Sequence, residues 1–401
     1  METNIDLEKA EELVYSLIKP VSAETVSLGS AYGRVLAQDL HSQLNIPPFA
    51  RSPLDGYAYY ARTQDSKPLS LRIVTEIPAG SWPERALEVG EAARIFTGAP
   101  IPAGANCVVR MEDTEEHGDE VVIHYPVPAG ANVVPEGDEI ARGETLLRQG
   151  VLLTPPALGL LAAAGVQEVP VYRRPKVGLL STGSELIDID SQPLPGKIYN
   201  SNSYTLRGLL QEAGCEVKAI PYVPDRLPET LLALEQLEGS DVVISTGGAS
   251  VGEYDLMPQA LEQHGCEMLF WKVNLKPGTP AAVGRKGNKL YFSLSGNPAA
   301  AAVTFELLVR PVLSKLRGSV QWQPQEFAVK MAGEFSKSGR QRRFLRATAV
   351  LKDGEIWADL APAQGSGILR SMIGSDLLVD VPGGHGPVRE GESLLARWIG
   401  K

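Results

Sequence analysis

Along the first twenty residues, METNIDLEKAEELVYSLIKP, apolar positions recur at helical spacing among acidic ones and predict an amphipathic helix. Short apolar runs between Gly and polar breaks follow in SAETVSLGSAYGRVLAQDL and read as strands. From Ile46 to about Gly150 the pattern is strands and turns: LSLRIVTEI, AARIFTG, CVVRMEDT, EVVIHYPV and ETLLRQG. Pro-Ala-Gly punctuates this region at 78–80, 102–104 and 128–130, at unequal intervals and in unrelated surroundings, so these are turns and not a repeat. LTPPALGLLAAAG then predicts a short helix with prolines in its first turn, where missing amides cost little.

Beginning at Lys176 the alternation becomes regular. KVGLLST, EVKAIPYV, DVVISTGG, CEMLFWKV and KLYFSLSG read as strands. Helical stretches separate or follow them: SNSYTLRGLLQEAG, LPETLLALEQLEG, LMPQALEQHG and NPAAAAVTFELLVRPVLSKLRG. Such a series makes a doubly wound, mainly parallel sheet with helices on both faces, and ligands sit beyond the carboxyl ends of its strands. From about 320 to 401 the chain returns to alternating strands (EFAVKMAGEF, FLRATAVL, EIWADLAP, LLVDVP, SLLARWIG), expected to form a small separate β-barrel or sandwich. The fold class is therefore multi-domain, α/β and β.

At 401 residues and 43% hydrophobic the chain is too long for one ordinary core and too apolar for disorder. No charge-free run of about 18 apolar residues appears, which argues against a membrane-spanning helix. The N-terminus lacks the basic start and apolar centre of a signal peptide, and Cys107, Cys215 and Cys266 stand far apart without metal-ligand spacing. A cytoplasmic protein with buried thiols is expected. The net charge of −10 disfavours a nucleic-acid partner, whose affinity comes largely from a basic face. A small anionic ligand would need local donors, such as helix N-termini and a few lysines.

The α/β strand ends supply such donors. They lead into Ser181-Thr182-Gly183-Ser184-Glu185, Val223-Pro224-Asp225-Arg226, the run from Ser245 to Asp255, the run from Lys272 to Pro280, and Ser293-Leu294-Ser295-Gly296-Asn297-Pro298. Glycines admit phosphate to backbone amides, and hydroxyls before a helix add donors at its positive end. Neither a Walker loop nor the dinucleotide fingerprint is present, which disfavours a standard NTPase or Rossmann dehydrogenase. Gly247-Gly248 alone is weak evidence, since paired glycines more often serve a turn than a phosphate. Glu185, Asp225 and Asp255 suit either solvation or a divalent cation held against phosphate oxygens. Lys272 and Lys276 are candidates to steady the anion. The other dense motif, Arg51 to Ala58, contains an Asp-Gly pair that on local grounds marks a tight turn.

Together these motifs resemble the molybdopterin molybdenumtransferase family, to which the C-terminal domain of gephyrin also belongs. The resemblance spans essentially the whole chain: SPLDGYA at 52–58, IFTGAPIPAGA at 95–105, Asn132 to Gly143, STGSEL at 181–186, GKIYNSN at 196–202, STGGASVGEYD at 245–255, LKPGTP at 275–280, LSGNP at 294–298 and GSGILRS at 365–371. It implies an elongated N-terminal domain (1–45 plus 146–175), an inserted β-rich domain (46–145), a molybdopterin-binding α/β domain (176–318) and a C-terminal β-barrel (319–401). It further implies a homodimer whose cleft joins the α/β domain of one subunit to the inserted domain of the other.

The implied reaction takes adenylylated molybdopterin and molybdate, cleaves the pyrophosphate with Mg2+ or another divalent cation, and releases AMP. The upstream adenylyltransferase and recipient molybdoenzymes are implied partners. Asp55, Glu185, Asp225 and Asp255 become the catalytic and cation-holding set. Substrate contacts would come from Thr97, Thr182, Gly183, Ser184, Gly247, Gly248, Ser250, Lys272, Lys276, Gly296, Asn297, Pro298, Ser366 and Arg370.

The chain departs from the family pattern at Ala50, Leu54, Asn106, Val134, Asp138-Glu139, Thr279 and Ser295. Thr279 replaces the second lysine of Lys-Pro-Gly-Lys-Pro and removes a positive charge from a loop expected to attract an oxyanion. An active divergent enzyme is the favoured reading. The alternatives are a cofactor-binding scaffold of gephyrin type and a sugar- or nucleotide-phosphate enzyme on a similar sheet.

Overall fold

The computed structural model describes residues 1–62, 67–248 and 256–400. Its central feature is a seven-stranded sheet in the order Glu2–Ile5, Glu267–Val273, Ala282–Lys286, Lys289–Leu294, Val242–Thr246, Lys176–Thr182, Glu216–Val223. All pairings are parallel except those of Ala282–Lys286, which runs against both neighbours. Both faces are covered. Leu179, Ile244 and Phe292 enter one buried cluster with the helices Ser201–Glu212 and Pro298–Thr304, while Leu180, Val243 and Tyr291 enter another with Leu227–Gln236 and Met257–Gln263. Consecutive residues of a strand point to opposite faces, so a strand covered on both sides reads as a near-continuous apolar run. Each fully buried Phe or Leu contributes roughly 1.5–3 kcal/mol.

The N-terminal helix occupies Leu7–Tyr15, and Glu2–Ile5 ahead of it is a strand at the sheet's edge, paired with Phe270, Trp271 and Val273. Periodicity gave no sign of that strand, because its residues are exposed except Ile5 and its conformation comes from the ladder. Leu7, Ala10 and Val14 join the same buried cluster as Leu179.

The inserted region forms a six-stranded sheet in the order Cys107–Arg110, Gly56–Tyr59, Glu91–Ile95, Leu69–Ile77, Glu120–Ile123, Thr114–His117. Gly56–Tyr59, expected to be part of a turn, is a fully buried strand of this sheet. A side chain at Gly56 would meet the Val109 carbonyl oxygen at 1.8 Å, so the glycine after Asp55 serves close strand pairing. ETLLRQG does not join this sheet; its strand Thr145–Leu147 pairs with Leu40–His41. That ladder, the ladder of Ala23–Ser27 with Glu168–Tyr172, and the helix Pro155–Ala163 surround a core of Leu36, Leu153, Leu161, Val169 and Val171.

The C-terminal strands close on themselves. Arg342–Lys352 pairs with Glu355–Leu360 on one side and Leu377–Val381 on the other, and Glu326–Met331 and Ser393–Trp398 complete a five-stranded barrel. Closure gives each of the five strands two neighbours. The two-residue strand Leu275–Lys276 of the α/β part adds to the barrel, with Leu275 opposite Arg342 and Lys276 opposite Arg343. Ion pairs from Glu8 to Arg342 and from Glu11 to Arg397 fasten the first helix to the barrel.

Candidate active site

Strands Lys176–Thr182, Glu216–Val223, Val242–Thr246 and Lys289–Leu294 run the same way, so their following loops meet at one edge. A cavity of about 600 Å3 lies there, lined by Thr182, Gly183, Glu185 and Asp225 from the first two loops and Gly247 and Gly248 from the third. Gly296, Asn297 and Pro298 complete its far wall, and Gly367 reaches it from the barrel.

Hydrogen bonds set the loops. The Ser184 amide donates to Asp225 Oδ2 at 2.8 Å, and the Asp225 amide donates to Ser184 Oγ at 3.1 Å, which locks the first two strand ends together. Asn200 caps the helix Ser201–Glu212 by accepting from the Ser203 amide at 3.1 Å. Gly247 holds φ +93°, and a side chain there would meet the Thr182 carbonyl oxygen at 2.1 Å. Only glycine fits that turn.

Among the described residues, the buried polar atoms at this edge without a protein partner include Thr182 Oγ1 and Asn202 Oδ1. Asn202 itself is held by its amide nitrogen, which donates to Thr246 Oγ1 and to the Gly296 carbonyl, both at 2.8 Å. An orphaned buried acceptor costs roughly 1–3 kcal/mol, which a ligand donor would offset.

A second cavity, of about 350 Å3, adjoins the first and shares Pro280, Ser295 and Asn297 with it. It lies between the α/β part and the barrel and is lined by Lys276, Thr279, Lys337, Arg343, Arg346 and Ser366. Arg346 is only 1% exposed. Its Nε donates to Ser371 Oγ at 3.2 Å and an Nη donates to the Gly365 carbonyl at 3.1 Å, but no carboxylate pairs with it among the described residues. Burial pushes its guanidinium down to about 10. A cation buried this deeply without a carboxylate suits an anion as its counter-charge.

Asp55 and Thr97 sit together on the inserted sheet. The exposed Asp55 carboxylate accepts from the Thr97 amide at 2.7 Å and from its hydroxyl at 2.8 Å. Those bonds, the amide foremost, hold its pKa below the usual carboxylate value. Neither residue lines the cleft within one chain.

The other expected residues fall at several places. Lys276 and Ser366 line the second cavity and not the first. Lys272, at φ +70°, lays its ammonium 4.3 Å from the Trp271 ring and lines neither cavity. Arg370, in the short helix Leu369–Met372, borders a separate cavity on the barrel. Ser250 and Asp255 lie outside the described residues.

Residues not anticipated are Asn202, Lys337, Arg343 and Arg346. A signal for Arg346 existed. In Phe344-Leu345-Arg346-Ala347 the residues at 344, 345 and 347 are buried, and a charged residue within such a run is a functional marker. Nothing in the sequence brought that strand beside the loop 275–280.

Three family models match in order: the MoeA N-terminal region (domains I and II) over residues 5–165, a probable molybdopterin binding domain over 178–315, and the MoeA C-terminal region (domain IV) over 328–396. The molybdopterin molybdenumtransferase of Staphylococcus aureus strain MRSA252 is 33% identical over 397 residues, covering 97% of this chain and 94% of its own. That of Haemophilus influenzae is 34% identical over 385 residues, covering 94% and 93%. Among solved structures, the molybdopterin biosynthesis MoeA protein of Pyrococcus horikoshii superposes with a TM-score of 0.81 at 30% identity over 99% of both chains.

Proposed function

Because the chain belongs to the molybdopterin molybdenumtransferase family, as an enzyme of molybdenum cofactor biosynthesis, we propose that its two adjoining cavities hold the two reactants of metal insertion. Adenylylated molybdopterin occupies the glycine- and hydroxyl-lined cleft, and molybdate occupies the cationic cavity beside it. The observation that carries this reading is their shared wall: Pro280, Ser295 and Asn297 line both, so an oxyanion in one abuts a pterin in the other.

The division of labour follows from the side chains. Backbone amides around Gly247 and Gly296 receive phosphate oxygens, and Asn202 and Thr182 orient polar edges of the ligand. Arg346 and Lys276 hold the oxyanion by charge-assisted hydrogen bonds inside a protein whose net charge of −10 repels it at long range.

Glu185 and Asp225 suit Mg2+, which takes one or two carboxylates and fills its remaining positions with water and phosphate oxygens. In this reading the diphosphate completes the coordination of the cation. When bound, the cation offsets charge on the departing phosphate. Asp225, held by the Ser184 amide, also orients the attacking water. Asp55 and Thr97 enter the cleft from a second copy of the chain; held as an anion by Thr97, Asp55 is ready to position water or cation without being a strong base.

The test is turnover. Purified protein incubated with adenylylated molybdopterin, Mg2+ and molybdate releases AMP, followed by chromatography. Stoichiometric binding of the pterin with no AMP refutes the enzymatic reading and favours a scaffold.

A further inference from the structure

We propose that Arg343 is a substrate-contacting, specificity-determining residue of the cationic cavity and supplies the positive charge that Thr279 lacks. This rests on the reading of that cavity as the molybdate site.

The loop 275–280 brings a single cation, Lys276, to the cavity. Thr279 adds none, and its hydroxyl is already engaged, donating to the Leu275 carbonyl at 2.6 Å and facing Gln341 Nε2 at 3.5 Å. Arg343 stands directly opposite Lys276 in the parallel ladder that joins this loop to the barrel, and both line the cavity. Like charges at facing positions of a ladder repel, so the pairing needs compensation.

Two other arginines of the barrel strands are compensated by acids. Arg342 binds Asp380 and Glu8, and Arg397 binds Glu11 and Glu326. Arg343 has no acidic partner among the described residues; its hydrogen bond is from an Nη to the Ser338 carbonyl at 3.3 Å, and its Nε is buried without an acceptor. Arg343 and Arg346, the two arginines of this strand left without a carboxylate, are the two that line the cavity. Lys276, Arg343 and Arg346 line one small cavity without a carboxylate partner among the described residues, which favours an oxyanion as their shared counter-charge. A guanidinium also offers a planar fork of N–H groups, which matches paired oxygens better than an ammonium does. The charge missing from the 275–280 loop is thereby delivered by the barrel strand that pairs with it.

Calorimetric titration of the full-length chain with sodium molybdate tests the assignment. R343Q raises the molybdate Kd about tenfold, the loss of one charge-assisted contact. T279K introduced into R343Q recovers most of that loss by returning a cation from the loop. An unchanged Kd in R343Q, or a loss that T279K leaves in place, overturns the role of Arg343 while the cavity assignment stands. Wild-type protein that binds no molybdate overturns the cavity assignment itself. Should R343Q melt well below wild type, phenylglyoxal labelling of the wild-type protein serves instead: molybdate shields Arg343 from modification, and labelling at 343 indifferent to molybdate refutes the proposal.

Discussion

Replacing Arg346 by methionine separates a binding role from a structural one. Burial holds the guanidinium at about 10. That is well below the ordinary value of an arginine, so at roughly 1.4 kcal/mol per pH unit the folded protein bears a desolvation cost on the order of 3 kcal/mol for keeping this cation. Against that stand two hydrogen bonds, to Ser371 Oγ and the Gly365 carbonyl, worth about 1 kcal/mol each. Methionine has a similar reach and fills the space without a charge. The terms nearly cancel, so unliganded R346M is expected to melt within a few degrees of wild type. Ligand binding responds differently. Molybdate at 100 times its Kd stabilises the wild type by about 2.7 kcal/mol, and R346M shows little or no such shift. Differential scanning calorimetry with and without molybdate measures both quantities. If R346M instead loses more than about 3 kcal/mol without ligand and still responds to molybdate, Arg346 is a structural residue and the inference from its missing carboxylate fails.

Three further outcomes follow from other parts of the molecule. Asp55→Asn abolishes AMP release with little change in melting temperature, because the side chain is exposed; a large stability loss with residual turnover shows instead that it only shapes its turn. Gly247→Ala costs at least about 1–3 kcal/mol through its left-handed backbone, with the clash on the Thr182 carbonyl added, and weakens pterin binding; wild-type melting and affinity contradict this. Glu238 is held down at about 2 by hydrogen bonds from Lys286 at 2.6 Å and Lys289 at 3.0 Å. A depressed carboxylate stabilises the fold above its unfolded pKa of about 4.3 and loses that contribution as pH falls through the folded value. Glu238→Gln therefore melts below wild type at neutral pH, and the gap closes between about pH 4.5 and 2; a gap independent of pH refutes the pairing.

Much of the architecture was legible in the order of residues. Strands buried on both faces, such as Val242–Thr246, must be apolar throughout, and glycine–hydroxyl loops after them must lie at the carboxyl edge because parallel strands share one direction. The cleft residues Thr182, Gly183, Glu185, Asp225, Gly247, Gly248 and Asn297 follow from that rule alone. The C-terminal strands were legible by alternation, whereas their closure into a barrel depends on the register of Arg342–Lys352 with two partners.

Contacts between distant segments were decided elsewhere. Glu2–Ile5 is a strand because Glu267–Val273 offers a free edge, and no local preference of its own residues requires it. Gly56 is glycine because Val109 lies against it, although an Asp-Gly pair reads locally as a turn. The cationic cavity exists because two residues of the 275–280 loop pair with a barrel strand nearly seventy positions away, drawing Lys276, Arg343 and Arg346 around one space. Periodicity and glycine placement act over a few residues and are written in the chain; the charge balance of a cavity is a sum over elements that only folding assembles.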